Sequence, residues 1–263
     1  MADINYKKYF KDRKVTVMGL GLLGRGVGDT EFLAKCGADL IVTDLKKESE
    51  LKKSLEKLKK YRSIKYQLGG HFLKDFVNRD FILKAAGVPL DSPYIAEAKR
   101  NHIPIEMSAS LFARLAKIPT IAVTGTRGKS TVTCLLHHIL RKAGKKVLLG
   151  GNVLGVSTLA LLPKAKNADY ALLELDSWQL QGFGDAEISP KLAIFCTFMD
   201  DHLAYYKSNR KRYFDDKANI FKYQGKDNIL IIGRQALPAI RRWSASATLR
   251  RDKGGKIKSK KII

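Results

Sequence analysis

Short apolar runs alternate with longer amphipathic stretches along most of this chain. Short stretches rich in apolar residues predict strands near 15–18, 40–43, 64–67, 81–84 and 103–106. Between them, apolar residues at helical spacing predict a helix after Gly24 to about Cys36, a charged helix to about Lys60, and helices near 93–101 and 111–117. The pattern then restarts at Ile118-Pro119, with strands near 119–123, 146–149, 169–174, 191–196 and 228–232 and helices at 129–143 and about 209–222. Strand–helix alternation of this kind predicts α/β architecture with mostly parallel sheets wrapped by helices. The restart predicts a Rossmann-like first domain over 1–117 and a P-loop NTPase-like central domain over 118–240, followed by a basic tail at 241–263.

Each half places a glycine-rich turn between its first strand and first helix. In the second half the turn is Gly125-Thr126-Arg127-Gly128, and Lys129, Ser130 and Thr131 open the helix. Glycines there let backbone N–H groups close around phosphate oxygens, and the helix N-terminus adds unpaired donors. Lys129 can reach terminal phosphates, and the Ser130 hydroxyl can bind the magnesium that bridges them. Val123 stands where the longer phosphate-loop pattern has its first glycine. The strand before and the amphipathic helix after support a nucleoside triphosphate site, and the segment 125–131 is expected to bind ATP.

The first half reads Gly19-Leu20-Gly21-Leu22-Leu23-Gly24, with Asp44 twenty positions further on at the end of the next strand. That spacing suits a dinucleotide, any other pyrophosphate, or merely close strand–helix packing. The triphosphate loop next door counts against a nicotinamide enzyme.

Further polar residues fall at strand ends, where ligands collect in doubly wound sheets. Glu174 ends one apolar run, and Asp200, Asp201 and His202 follow another, so Ser130, Glu174 and His202 are expected to converge on one metal-phosphate region. Asn152 in Gly150-Gly-Asn either turns toward a substrate or favours a left-handed turn, with equal weight on spacing alone. Lys217 lies in a helical pattern in which most lysines are solvated.

Charge and composition alter this picture little. The chain has 49 Lys and Arg against 25 Asp and Glu, a net charge of +24. Residues 241–263 hold nine of those bases and one acid, Asp252. No RNA- or DNA-binding signature accompanies the charge, so nucleic acid is not expected as a partner, while anionic phosphorylated substrates fit. Apolar residues make up 45% of the chain, which supports globular folding. No run approaches a membrane span, the start is no signal peptide, and Cys36, Cys134 and Cys196 are scattered in apolar patterns. A cytoplasmic protein without membrane partners is expected.

Taken in order, Thr-Gly-Thr-Arg-Gly-Lys-Ser-Thr, Gly-Gly-Asn, Leu-Glu-Leu-Asp-Ser-Trp-Gln-Leu and Asp-His-Leu, then a lysine in the next helix, resemble the Mur ligases. The resemblance runs from about Val15 to Ile232 and is strongest to members that add D-glutamate to UDP-N-acetylmuramoyl-L-alanine. It implies an ATP- and Mg²⁺-dependent ligase of peptidoglycan precursor synthesis working through an acyl phosphate. Carried over by motif, Lys129 stabilises the transferring phosphoryl group, and Ser130, Glu174 and His202 bind magnesium. Lys217 matches a lysine that the family carbamylates and that then stands beside the metals. Asn152 and Ser177 would contact the muramoyl part, and Gly19, Leu20, Gly21, Leu22, Asp44 and Gly87 the UDP part.

Asp176 replaces a serine common in the family, Ala85-Ala86-Gly87 a Ser-Pro-Gly turn, and Ala204 an acid. The family's third domain, which brings the D-glutamate site, is not expected here. This predicts a chain that binds nucleotide and UDP substrate yet ligates poorly or not at all alone, as a gene fragment, a split enzyme completed by a second chain, or a repurposed remnant. The rival reading is a non-catalytic nucleotide-binding remnant whose basic tail engages nucleic acid or a partner.

Overall fold

The computed structural model describes residues 5–89, 91–201, 204–249 and 260–262. The chain opens with α1 (Tyr6–Phe10), β1 (Lys14–Met18), α2 (Arg25–Lys35), β2 (Asp39–Asp44), α3 (Glu48–Leu58) and β3 (Lys65–Leu68). There follow β4 (Phe81–Lys84), α4 (Pro93–Arg100), β5 (Ile105–Glu106) and α5 (Ser108–Leu115). After these come β6 (Thr120–Thr124), α6 (Lys129–Lys142), β7 (Val147–Gly151), α7 (Leu162–Ala165) and β8 (Tyr170–Glu174). The chain continues through α8 (Ser177–Asp185), β9 (Leu192–Phe195), α9 (Arg210–Lys222), β10 (Ile229–Ile232), α10 (Leu237–Leu249) and β11 (Lys260–Ile262).

Two compact units result. The first comprises residues up to Ala116 together with Val153–Lys166, and the second Lys117–Asn152 with the residues from Asn167 on. Their sheets have the orders β3-β2-β1-β4-β5 and β11-β10-β9-β6-β8-β7, and every pairing is parallel. Parallel strands are covered on both faces and therefore read as nearly continuous apolar runs. In β6, Ile121, Ala122 and Val123 are buried, as are Ala171, Leu172 and Leu173 beside them in β8. Each large apolar side chain buried this way contributes about 1.5–3 kcal/mol.

Sheet order fixes where ligands can go. In the first unit β1 has β2 on one side and β4 on the other, and in the second β6 lies between β9 and β8. These are the topological switch points, where crossovers leave in opposite directions and open a crevice at the strands' carboxyl ends. The two glycine-rich turns follow β1 and β6, so each sits in its unit's crevice.

Two parts of the sequence reading are redrawn. The segment 153–166, expected within the central domain, packs with the first unit. Its Ser157 donates to Asp29 of α2 at 2.5 Å, and Ser108 of α5 donates to the same carboxylate oxygen at 2.7 Å. The stretch expected as a tail from 241 begins inside α10, whose Trp243 donates to Asp215 at 2.8 Å and packs edge-on against Phe221. Arg241 and Arg242, read with the bases that follow, obscured a helix whose Ile240 and Trp243 are buried. β11 then adds a parallel edge strand to β10.

Candidate active site

The phosphate loop is shaped by contacts that its own sequence demands. Gly125 has φ 152°, and a Cβ there would stand 2.9 Å from Thr197 N and 3.0 Å from Cys196 Cβ, so only glycine fits. Thr126 N donates to Thr197 O at 2.9 Å, and Arg127 N donates to Thr197 Oγ1 at 2.8 Å. Thr126 Oγ1 donates to Met199 O at 3.1 Å and accepts from Met199 N at 2.9 Å. The segment after β9 thus clamps the loop after β6. Gly128 caps α6, and Lys129, Ser130 and Thr131 form its first turn, with Ser130 and Thr131 exposed.

Two lysines meet at this loop. Lys129 Nζ donates to Gly125 O at 3.0 Å and Thr126 O at 3.1 Å. Lys217 Nζ, from α9, also donates to Gly125 O at 3.0 Å and lies 5.0 Å from the Tyr213 ring centroid. Lys217 is 1% exposed, where helical spacing alone suggested solvent. Burial, and then the nearby Lys129 charge, push its amine down to about 7. A buried, partly neutral lysine is a nucleophile at physiological pH.

Glu174 ends β8 with Val123 of β6 as its register partner. Its carboxylate is buried and accepts from Asn152 Nδ2 at the long distance of 3.4 Å. That contact is long for a hydrogen bond, and a buried carboxylate of this kind suits a cation. The backbone N–H of Asn152 donates to Glu174 O at 2.6 Å. Gly151 makes this approach possible, since a Cβ there would stand 2.0 Å from Glu174 O. Ser177 is buried at the first position of α8. Asp176 caps that helix, accepting from Gln179 N at 2.8 Å, a role that the family's serine would fill as well.

Ser130 and Glu174 offer hydroxyl and carboxylate oxygens, the donor set that magnesium prefers. His202, expected as a third ligand, lies outside the described residues. Among the described residues no group of three or more His, Cys, Asp or Glu could hold a metal ion. Asp200, at the same strand end, pairs instead with Arg210 at 2.6 Å.

In the first unit, Asp44 organises its glycine turn. One carboxylate oxygen accepts from Gly21 N at 2.9 Å and the other from Lys46 N at 2.9 Å, and Ser54 donates to Gly21 O at 3.0 Å. Gly19 N donates to Thr43 O at 2.8 Å, Leu20 is buried, and Leu22 is exposed beside the turn. Gly87 is exposed in the turn after β4.

Sequence reasoning missed His71, whose Nδ1 lies 2.6 Å from Thr43 Oγ1 next to Asp44. Burial pushes its imidazole below the usual histidine range. A lone His after a short edge strand gives no signal of such a neighbour. It also missed Tyr213, detectable only as an aromatic residue one helical turn before Lys217.

Residues 123–257 match the Mur ligase middle domain, and residues 13–106 match the Mur ligase MurD-like N-terminal domain. The first match extends past Ile232, where the sequence resemblance was expected to stop, and takes in α10. The UDP-N-acetylmuramoylalanine–D-glutamate ligase of Borreliella burgdorferi (strain ZS7) is 41% identical over 227 residues, 86% of this chain and 48% of that protein. The enzymes of the same name from Roseiflexus sp. (strain RS-1) and Treponema pallidum (strain Nichols) are 37% and 36% identical, over 81% and 83% of this chain and 45% and 43% of theirs. The chain thus spans about half the length of these relatives. Among solved structures, the UDP-N-acetylmuramate:L-alanyl-gamma-D-glutamyl-meso-diaminopimelate ligase from Neisseria meningitides superposes with a TM-score of 0.56 at 14% identity. That superposition covers 95% of this chain and 78% of the other, and shares the fold alone. With both of its domains matched in order and 41% identity to such a ligase over most of its length, this chain belongs to the Mur ligase family.

Proposed function

We propose that this chain carries the UDP-substrate and ATP sites of a ligase that adds D-glutamate to UDP-N-acetylmuramoyl-L-alanine in peptidoglycan precursor synthesis. The observation that carries the reading is the meeting of Lys129 and Lys217 on the Gly125 carbonyl, at the carboxyl end of the strand paired with that of Glu174. The Lys129 ammonium beside a glycine-lined helix N-terminus suits a polyphosphate, with Lys217 held at the same carbonyl, and phosphoryl transfer between anions needs positioning and positive charge above all.

In this reading the alanyl carboxylate oxygen attacks the γ-phosphorus of ATP, the bond to the ADP oxygen breaks, and an acyl phosphate forms. The D-glutamate amine then attacks the acyl carbon, phosphate leaves with the bonding pair, and the amine loses a proton. Residues 125–131 hold the phosphates by backbone N–H groups, and Lys129 swings from the loop carbonyls to the transferring group. Magnesium, held by Ser130, Glu174 and His202, would neutralise phosphate charge when bound. Lys217 in its neutral form would add carbon dioxide at Nζ and lose a proton, which leaves a carbamate anion at the same place whose nitrogen keeps one N–H. Asn152 and Ser177 orient the muramoyl part, and the Gly19–Gly24 turn with Asp44 and Gly87 receives the UDP part. UDP-linked and ATP-consuming chemistry fits the cytoplasm. Among the described residues no helix is long and apolar enough to cross a membrane.

D-Glutamate selection is assigned to the part of the relatives' length that this chain does not span. The rival reading, a remnant with a nucleic-acid-binding tail, loses its support where the middle-domain match extends to 257. The test is to give the purified chain UDP-N-acetylmuramoyl-L-alanine and Mg-ATP, then D-glutamate together with the missing half of a relative. Binding of both substrates, followed by phosphate release and a new amide, is expected. Failure to bind the UDP substrate, or ATP hydrolysis indifferent to it, overturns the proposal.

A further inference from the structure

Tyr213 is 0% exposed and sits in α9 one turn ahead of Lys217. Its hydroxyl lies 3.2 Å from Thr126 Oγ1. The two hydroxyls share one hydrogen bond, and Thr126 Oγ1 also meets Met199 O and Met199 N. Burial pushes the phenol up to about 12, which keeps it protonated. The ring stacks on Phe198 at 5.3 Å and packs against Tyr206 at 5.2 Å, while its face carries the Lys217 ammonium. One side chain thus touches the phosphate loop, the segment after β9 that clamps it, and the buried lysine. Nothing in the motifs assigns it a role.

We infer that Tyr213 is a positioning residue for the phosphate loop, its hydroxyl holding Thr126 and its ring holding Lys217 against the Gly125 carbonyl. The inference rests on the nucleotide reading of that loop. A side chain that only filled the core would act through stability alone. A positioning residue also sets the N–H groups that follow Thr126, and its loss shows in ligand affinity.

The experiment measures Mg-ATP affinity by calorimetry on the full chain, with melting temperature alongside, for wild type, Tyr213→Phe, Thr126→Val and the double variant. Phenylalanine keeps the ring under Lys217 and removes only the hydroxyl. Tyr213→Phe is expected to weaken Mg-ATP about fivefold, the worth of one buried hydrogen bond. Thr126→Val, which also removes the two Met199 contacts, is expected to cost less on the Tyr213→Phe background than in wild type, because the contact the two hydroxyls share is already gone there. Amide exchange over residues 125–131 in the nucleotide-free chain is expected to quicken in Tyr213→Phe. Unchanged affinity and exchange, losses that multiply in the double variant, or a lower melting temperature with affinity intact would each overturn the inference. Wild-type chain that takes up no Mg-ATP overturns the nucleotide site and the inference together, whereas wild-type binding matched by Tyr213→Phe overturns the inference alone.

Discussion

Lys129 and Lys217 place their Nζ atoms on one acceptor, the carbonyl oxygen of Gly125, each at 3.0 Å. One lysine comes from the helix that the loop opens, the other from a helix almost ninety residues later. Lys129 is only half-buried, so its removal touches chemistry more than folding. Lys129→Ala is expected to weaken Mg-ATP binding about 10- to 100-fold, as a charge-assisted hydrogen bond to phosphate is lost. Melting temperature should stay near wild type. Calorimetry checks both, and unchanged affinity would remove Lys129 from the site.

Lys217, with its amine pushed down to about 7, is expected to react with carbon dioxide at physiological pH. Above that pH the neutral amine dominates, so carbamate should accumulate as pH rises from 6 to 8. Carbon-13 NMR in labelled bicarbonate is expected to show a carbamate carbonyl that Lys217→Ala lacks. A spectrum identical in wild type and variant would count against the carbamate.

The pattern of apolar runs located most strands to within one or two residues, because strands buried on both faces carry their signal in consecutive residues. β4 (Phe81–Lys84) and β8 (Tyr170–Glu174) are examples. α8 escaped notice because Gly182 and Gly184 lower its helix propensity. Gly184 is there for packing, since a Cβ would meet Asn219 Nδ2 of α9 at 2.4 Å. The return of 153–166 to the first unit depends on Ser157 reaching Asp29, 128 positions away, which no local pattern encodes. Within the site, the glycines, Lys129 and Glu174 were legible from spacing. The burial of Lys217 was not, because Arg210, Lys211, Arg212, Asp215 and Asp216 give its helix the look of a solvated one.

Gly151→Ala should test the joint between β7 and β8. The added Cβ would stand 2.0 Å from Glu174 O at a residue with φ 87°. A cost of about 3 kcal/mol is expected. Urea denaturation measures it, and a near-neutral effect would mean that the Glu174 backbone is free to move.

Asp29 makes stability depend on pH. Burial raises its carboxyl from 3.8 to about 6, against the lowering effects of the Ser157 and Ser108 hydrogen bonds and the Arg25 charge. The folded chain therefore keeps a proton that the unfolded chain has lost. The contribution is complete below pH 3.8 and disappears as pH rises through about 6. Relative to Asp29→Asn, which keeps an oxygen acceptor and does not titrate, wild type is expected to lose on the order of 3 kcal/mol between pH 4 and 7. Parallel denaturation curves for the two proteins at both pH values would contradict this.

Asp44→Ala leaves the N–H groups of Gly21 and Lys46 without their acceptors, at a cost of about 1–3 kcal/mol. UDP affinity is expected to fall with it, while Asp44→Asn, which retains one acceptor, should fall between the two. Titration with UDP and a melting curve separate the effects, and full UDP affinity in Asp44→Ala would place the uridine elsewhere.

The most direct measurement is a crystal structure of this chain with magnesium and a non-hydrolysable ATP analogue. It should show the β- and γ-phosphates on the backbone amides of 126–131, Lys129 released from Gly125 O, and the cation beside Ser130 and Glu174. An analogue bound away from that loop, or a cation that ignores Glu174, would contradict the account.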